Sequence, residues 1–379
     1  MMAGLTVANA RIVTRDDVVS GTVEVADGRF SQIGEGSARS GAALDFEGDY
    51  LLPGLVELHT DNLERQFTPR PGVEWPAEAA VLAHDSQLAA AGITTALDTV
   101  RIGGGDKARP QHLSGMADAV KAAMRWGVLR AEHFLHLRCE VSSPGLMERF
   151  RPFMDDPMVR LVSLMDHTPG QRQFVDLAKH REYYQGRYGL SDDEMDDYVE
   201  DKQQAQQQFS ARHRSMVVEA LEGRNIALAS HDDATVEHIE ESVRDGVAIA
   251  EFPTRLEAAE AARRNGLAVL MGAPNLVLGG SHSGNASALD LAVSGLLDML
   301  SSDYVPSSTL QGVFLLRDGV PDMTLPRAAR VATVNPAQAV GLEDRGEVAE
   351  GKRADFIRVR EIEGVAVVRA TWREGQRVI

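Results

Sequence analysis

The sequence predicts an α/β protein in which a TIM-like (β/α)8 barrel is joined to a small β-sandwich domain built from both chain termini. Two observations predict this fold class. Short strand-like segments lie at both ends of the chain, and between them eight apolar, strand-like runs alternate with amphipathic helical stretches. Eight such units fit a closed parallel barrel, which typically takes about 250 residues and holds its active site at the carboxyl ends of the strands.

Both chain ends show the alternation of apolar and polar residues that is typical of strands joined by tight turns. Residues 5–50 follow this pattern, and the pair Asp27-Gly28 is a turn signal between two of the runs. The last forty residues behave in the same way. We therefore assign residues 1–50 and 340–379 to the small domain and residues 51–339 to the barrel domain.

The eight runs that we predict as barrel strands are, in chain order, LVELHT, TTALDTV, HFLHLRCEV, LVSLMDH, IALASH, VAIAEF, AVLMG and LDMLSSD. An open, doubly wound sheet is the alternative. It is disfavoured because no G-x-G-x-x-G motif follows the first run.

Residues 181–221 interrupt the alternation of strand-like and helical segments, because they form a long polar stretch. Ser191 and Glu194 have the spacing of a capping box, which predicts the start of a long exposed helix. A solvated helix is the ordinary interpretation of its acidic half. The preceding segment REYYQGR is a candidate lid over the site.

Composition restricts the class of partner. The chain has 379 residues, 44% of them hydrophobic, and a formal net charge of −17, which argues against nonspecific binding to nucleic acid or anionic membranes. No apolar stretch approaches the roughly 20 residues that span a bilayer, and no signal peptide is recognisable. The one cysteine, Cys139, fits a reducing cytoplasm. A homo-oligomer remains open.

Polar side chains follow the predicted barrel strands where the runs end. The residues at these positions are His59, Asp61, Glu140, His167, His231 and Asp303. Singly, a strand-end histidine is more often a hydrogen-bonded loop residue. Jointly they predict a metal site, since burying several carboxylates and imidazoles without a cation is costly.

Three histidines and three carboxylates suit Zn²⁺ or a similar divalent metal. Six ligands are too many for one tetrahedral zinc, so we expect two metals bridged by Glu140, with Asp303 as general base. Zinc is the expected metal, with manganese as the alternative. The remaining histidines are expected at the surface: His84, His112, His180, His213 and His238. Cys139 is expected to pack against the helices.

The strings PGLVELHTD and GKRADF resemble the amidohydrolase superfamily, which joins a metal-bearing barrel to a small sheet domain. Longer strings, including ELHTDNLERQFTPRPGVEWP and MGAPNLVLGGSHSGN, resemble its members that release diphosphate from a ribosyl 5-triphosphate in phosphonate catabolism. Most of the superfamily has His-x-His on the first strand and a carbamylated lysine between the metals. Asp61 and Glu140 stand in those places here, as they do in the resembled members.

A small-molecule ribosyl triphosphate needs a locally basic cleft in this acidic protein. The candidate substrate-binding residues on the strand-end face are Arg70, Arg138, Arg172, Ser281, Ser283 and Asp233. Guanidinium groups match phosphate oxygens well, and the glycine-rich loop GGSHSGN offers converging backbone N–H groups. His282 in that loop is a candidate proton donor to the leaving diphosphate. Either Asp232 or Asp233 is expected to orient a ligand histidine.

Two rival functions remain open from the sequence. An amidohydrolase that cleaves a C–N bond, such as a deacetylase or deaminase, explains the metal ligands equally well but not the excess of arginine and glycine donors. A catalytically inactive barrel that serves as a binding subunit is disfavoured, because a complete set of ligands is present.

Overall fold

The computed structural model describes residues 4–36, 43–70, 72–103, 112–172, 185, 191–281 and 285–379. Within these, the chain divides into two compact units. The first unit contains Met1–Asp98, Gly115–Phe134 and Met271–Ile379, and the second contains Thr99–Ser114 and Leu135–Leu270.

The strands are β1 Leu5–Val13, β2 Val18–Ala26, β3 Arg29–Glu35, β4 Leu44–Asp45, β5 Tyr50–Pro53, β6 Leu55–Thr60, β7 Ile93–Ile102, β8 Glu132–Glu140, β9 Val159–Met165, β10 Ala227–His231, β11 Ile249–Glu251, β12 Ala268–Gly272, β13 Met299–Ser301, β14 Phe356–Ile362, β15 Val365–Arg373 and β16 Gln376–Arg377.

The helices are α1 Asn62–Phe67, α2 Ala77–Ala90, α3 His112–Trp126, α4 Leu146–Phe150, α5 Asp192–Leu221, α6 Val236–Arg244, α7 Leu256–Arg264, α8 Ala273–Val277, α9 Ala288–Val293, α10 Ser308–Gly319, α11 Leu325–Arg330 and α12 Val334–Ala339; a short 3-10 turn covers Arg151–Phe153.

The predicted sheet from both chain ends is confirmed. Its strands pair in the order β16-β15-β14-β5-β1-β2-β3, with β4 pairing to β1, so the two ends of the chain form one hydrogen-bonded sheet. Asp27 and Gly28 both have positive φ, 49° and 76°, which is the geometry of the two-residue hairpin turn between β2 and β3. Phe356 stacks on Trp372 in the buried core of this sheet, with ring centroids 4.8 Å apart. The exact domain boundaries stay a prediction.

The predicted barrel is confirmed as well. Its eight strands pair in strict chain order from β6 to β13. The described pairs are parallel, as consecutive βα units require. Thr60 and Asp303 form a parallel bridge between the ends of the first and eighth strands, and this bridge closes the barrel.

Helix α5 confirms the predicted capping box. The Ser191 hydroxyl accepts a hydrogen bond from the Glu194 N–H, and the Glu194 side chain accepts one from the Ser191 N–H. The candidate lid lies almost entirely outside the described residues, since positions 181–184 and 186–190 are not covered. Within the described part of the chain, no helix is both long and apolar enough to cross a membrane.

Candidate metal centre

Three predicted ligands of the first unit lie together at the ends of β6 and β13. Ligand atoms of His59, Asp61 and Asp303 all lie within 4.8 Å of one another. The backbone holds them there: the Asp61 N–H donates to the Asp303 carbonyl over 2.7 Å, and the Asp303 N–H donates to the His59 carbonyl over 3.1 Å. The barrel-closing pairing therefore continues past both strands and places these side chains as one group.

Glu57 supports this first group from inside the barrel, and the sequence analysis missed it. Its carboxylate accepts the N–H of His59 over 2.7 Å and the N–H of Ser302 over 2.6 Å, so it joins the ends of β6 and β13. Burial raises the pKa of Glu57 to about 7. The signal was its position, because Glu57 has the same strand parity as His59 in an otherwise apolar run.

A second group lies in the second unit and contains His167, His231 and Asp232. The Asp232 Oδ2 atom lies 3.4 Å from His231 Nε2 and 3.7 Å from His167 Nε2. This oxygen is buried and has no hydrogen-bond partner among the described residues. A buried carboxylate oxygen facing two imidazole nitrogens is costly alone but suits a divalent cation. The donor set therefore fits the predicted metal, with Asp232 as a direct ligand candidate.

Glu140 orients His167 in this structure. One Glu140 oxygen accepts from His167 Nδ1 over 2.6 Å, and the other accepts the His167 N–H over 3.0 Å. Burial alone would raise the pKa of Glu140, but the charge and hydrogen bonds of His167 outweigh it and lower the pKa to about 2. The Nδ1 contact turns the His167 ring so that its Nε2 atom faces Asp232. The assignment of Glu140 as a metal bridge stays a prediction.

Glu251 orients His231 as Glu140 orients His167, and the sequence did not predict this role. It is the last residue of β11, and its Oε2 atom accepts from His231 Nδ1 over 2.6 Å and from the Ser163 hydroxyl over 2.8 Å. Ser163 in turn lies 2.5 Å from His136 Nε2. These contacts fix the His231 ring with Nδ1 toward Glu251, so Nε2 is the ring atom on the side of Asp232.

We expect Glu251→Gln to weaken metal binding about 10–100-fold, as is typical when an outer partner of a ligand histidine loses its charge. The glutamine still accepts one hydrogen bond but no longer stabilises a polarised imidazole. Metal affinity is measured by competition with a chromophoric chelator. Glu260→Gln, at an exposed position of helix α7, serves as the control. Equal affinities in the two variants would show that Glu251 has no influence on the site.

The candidate phosphate-binding arginines have different surroundings. Arg138 is buried, and its Nη2 lies 3.3 Å from His231 Nε2. Arg172 is also buried and pairs with Asp233 and with Glu241, the latter at 2.7 Å. Arg70 is exposed. Contact of these arginines with phosphate stays a prediction. In Arg172, the guanidinium already pairs with the carboxylates of Asp233 and Glu241, which compete with a phosphate.

Asp233 is fully buried and accepts from the Ser230 hydroxyl and from Arg172. Of the glycine-rich loop, Ser281 is partly exposed, whereas His282 and Ser283 lie outside the described residues. Their predicted roles in phosphate binding and proton donation remain predictions.

The expectation that the remaining histidines lie at the surface is wrong for His84 and His213. His213 packs on Phe209 and donates to the Val141 carbonyl over 3.1 Å. His84 is fully buried in helix α2. Both occupy the inner face of a helix, where an imidazole with a hydrogen-bond partner is readily buried. His238 is half-buried, and the side chains of His112 and His180 lie outside the described part.

His84 belongs to a third buried cluster, with Asp98 and His133, within the first unit. His84 Nε2 lies 2.8 Å from one Asp98 oxygen, and His133 Nδ1 lies 2.7 Å from the other. His133 Nε2 faces Asp85 at 3.3 Å. Burial alone would lower the pKa of His133, but Asp98 and Asp85 outweigh it and raise the pKa to about 10.

This pKa shift predicts a pH dependence of stability. Because the folded-state pKa of His133 exceeds its unfolded value of about 6.5, its contribution is complete below that pH and is lost as pH rises through about 10. Between pH 7 and 10.5, we expect the free energy of unfolding to fall more in the wild type than in His133→Gln, measured by urea denaturation. Parallel curves for the two proteins would contradict a charged His133 facing Asp85, Asp98 and His84.

Comparison with known proteins gives a consistent result. The family model described as the amidohydrolase family matches residues 50–378. The alpha-D-ribose 1-methylphosphonate 5-triphosphate diphosphatase of Escherichia coli (strain K12) is 49% identical over 375 residues, which are 98% of this chain and 99% of that protein.

Solved structures share the fold at low identity. N-acetyl-D-glucosamine-6-phosphate deacetylase from Mycobacterium smegmatis aligns with a TM-score of 0.64 at 18% identity, over 99% of this chain and 100% of its own. N-isopropylammelide isopropylaminohydrolase from Burkholderia multivorans aligns with a TM-score of 0.65 at 16% identity, over 100% and 98%. These structures show the fold, and the family match over residues 50–378 shows that the chain belongs to the amidohydrolase family.

Proposed function

We propose that this protein is a metal-dependent diphosphatase that hydrolyses α-D-ribose 1-methylphosphonate 5-triphosphate to the 5-phosphate and diphosphate, in phosphonate catabolism. The observation that carries the proposal is the 49% identity to the Escherichia coli diphosphatase across nearly the whole of both chains. Similarity of that extent includes every segment that holds a predicted ligand. The alternative of a C–N hydrolase rests on more distant sequence similarity to deaminases and on solved structures that share the fold at low identity.

Two zinc ions, with manganese as the alternative, are the proposed cofactors. The group of His59, Asp61 and Asp303 and the group of His167, His231 and Asp232 each offer imidazole and carboxylate donors, the set that such metals prefer. Divalent cations bound there would acidify water and neutralise phosphate oxygens. Glu140 is proposed as a further ligand that bridges the metals.

Each residue then has a defined task in the hydrolysis of a phosphoric anhydride. Asp303 accepts the proton of the attacking water, since a carboxylate beside cations stays ionised. Arg138 is proposed to bind phosphate oxygens through its guanidinium fork. Arg70, Arg172, Ser281, Ser283 and Asp233 are proposed to complete the substrate site, and His282 to protonate the leaving diphosphate.

The test is to follow the purified protein with the ribosyl 5-triphosphate by phosphorus NMR, after adding Zn²⁺ or Mn²⁺. We expect signals of diphosphate and of the 5-phosphate in equal amounts, and their loss on treatment with a chelator. Stepwise release of orthophosphate would indicate a different phosphatase. Absence of turnover together with ammonia or acetate release from a panel of C–N substrates would favour the alternative hydrolase. The cytoplasmic location and a homo-oligomeric state remain predictions.

A further inference from the structure

A chain of buried polar side chains runs through the first unit and ends beside Asp61. It consists of Asp85, His133, Asp98, His84 and Asn62, and we call it the buried relay. The first four of these side chains are completely buried, and Asn62 is 2% exposed. Five polar groups are placed in the interior at considerable cost unless each is satisfied, so their contacts define what the buried relay does.

The hydrogen bonds assign a protonation state to each member. The Asn62 amide donates one proton to His84 Nδ1 over 2.9 Å and the other to Gln87 Oε1 over 3.0 Å. His84 Nδ1 is therefore an acceptor, and its Nε2–H donates to Asp98. His133 faces carboxylates with both nitrogens, Asp98 and Asp85, so it is an imidazolium.

The far end of the buried relay is anchored to the backbone. Asp85 accepts the N–H groups of Arg130 and Ala131 over 2.8 and 2.9 Å and the Arg130 guanidinium over 3.1 Å. Two buried carboxylates thus face one imidazolium and one guanidinium. The buried relay is satisfied and electrically balanced from end to end, so it is a rigid element.

These contacts argue against a metal in this cluster. Every ring nitrogen of His84 and His133 already has a hydrogen-bond partner, and the two Asp98 oxygens are each committed to one of the rings. A cation would have to displace these bonds and the imidazolium proton. A hydrogen-bonded network explains the distances without it.

We infer that the buried relay positions the Asp61 carboxylate, with His84 acting through Asn62 as a positioning residue for the metal centre. This inference rests on the proposed function only in taking Asp61 as a metal ligand. Asp61 is the N-cap of helix α1, and Asn62 is the first residue of that helix. The amide of Asn62 is thus the nearest side-chain anchor on the C-terminal side of Asp61.

Helix α1 needs such an anchor because it has only six residues. A helix of that length is unstable alone, and the Asp61 side chain makes no capping hydrogen bond in the described structure. Backbone bonds hold this point, since the Asp61 N–H donates to the Asp303 carbonyl and the Asn62 N–H to the Thr60 hydroxyl. The Asn62 amide adds bonds to His84 and Gln87, which tie the residue next to Asp61 to helix α2.

A double-mutant cycle tests the inference, using His84→Leu, Asn62→Ala and the protein that carries both. Metal affinity and stoichiometry are measured with Co²⁺ against a chelator, without substrate, and stability by urea unfolding. We expect His84→Leu to weaken Co²⁺ binding about 10–100-fold and to add no further loss in the Asn62→Ala background. His84→Gln, which keeps an acceptor and a donor, is expected to restore most of the affinity.

Thr371→Val is the matched control, because it removes a buried hydrogen bond of the same unit, to the Ala89 carbonyl, away from the ligands. It should lower stability without changing Co²⁺ affinity. Asp61→Ala sets the scale for losing the ligand itself. If His84→Leu does not fold, Asn62→Ala breaks the same contact and has the same expected effect.

Three results with the His84 and Asn62 variants would overturn the inference. These are unchanged affinity in folded His84→Leu, additive losses in the double variant, and loss of one whole metal equivalent in His84→Leu but not in Asn62→Ala. The last would indicate a metal within the buried relay. Unchanged affinity in Asp61→Ala would overturn it as well. Failure of the proposed function has a different signature, namely normal Co²⁺ binding in the wild type without diphosphate release.

Discussion

Replacing Asp303 by asparagine is expected to lower kcat by about 10²–10⁴ while the protein keeps most of its metal, because general-base assistance typically has that magnitude. Asparagine retains the shape and a carbonyl oxygen for a cation, but it cannot accept the proton of the attacking water. It also tolerates the left-handed backbone that Asp303 adopts, with φ 53°. The loss can therefore be attributed to the missing base.

Steady-state rates with the ribosyl 5-triphosphate and elemental analysis of the purified variant measure the two quantities separately. Asp322→Asn is the matched control, because Asp322 is an exposed aspartate with φ 57°. It should behave as the wild type. Near-wild-type turnover of Asp303→Asn across neutral pH would assign the base to another residue. Loss of rate in proportion to lost metal would make Asp303 a ligand without a role in proton transfer.

The fold could be predicted because its signals are local. Each barrel strand is a continuous apolar run, and the capping box of helix α5 needs only Ser191 and Glu194. Closure of the barrel was implied by the count of eight units, and the bridge between Thr60 and Asp303 confirms it. Strand-end ligands could be predicted for the same reason, since the end of a run is visible in the sequence.

The contacts around these ligands could not be predicted, because they depend on register and backbone angles. Glu251 reaches His231 because the two are Cα partners on adjacent strands, a relation that no local pattern gives. The direction of the Asp232 side chain depends on the left-handed backbone conformation of this residue, which has φ 58°. His84 and His133 are far apart in the chain, yet both reach Asp98. A buried polar residue in an apolar context was the one available signal.

The second large effect concerns Asp232, since the sequence left open whether Asp232 or Asp233 orients a ligand histidine. Its buried Oδ2 faces the Nε2 atoms of both His167 and His231 and has no hydrogen-bond partner among the described residues. Glu140, in contrast, already accepts hydrogen bonds at both oxygens from His167 and its neighbour Ser142. Asp232 is therefore a better candidate than Glu140 for a direct metal ligand beside His167 and His231.

We expect Asp232→Asn to lower metal affinity by more than the roughly 10–100-fold that is typical of an outer-shell partner, and to lower turnover with it. The amide lacks the charge that holds a cation between two neutral imidazoles, whereas its backbone preference suits the left-handed conformation. Glu140→Gln is compared in the same titration. If Glu140 bridges the metals, its variant should lose at least as much affinity; if it only orients His167, the loss should be smaller.

Asp27→Asn is the control for the left-handed aspartate, because Asp27 lies in the exposed hairpin turn of the terminal sheet with φ 49°. Its metal affinity should equal that of the wild type. A folded Asp232→Asn protein with unchanged affinity would remove Asp232 from the ligand set. The buried oxygen between the two histidines would then need a hydrogen-bond donor in place of a cation, because burying a polar group without a partner is strongly disfavoured.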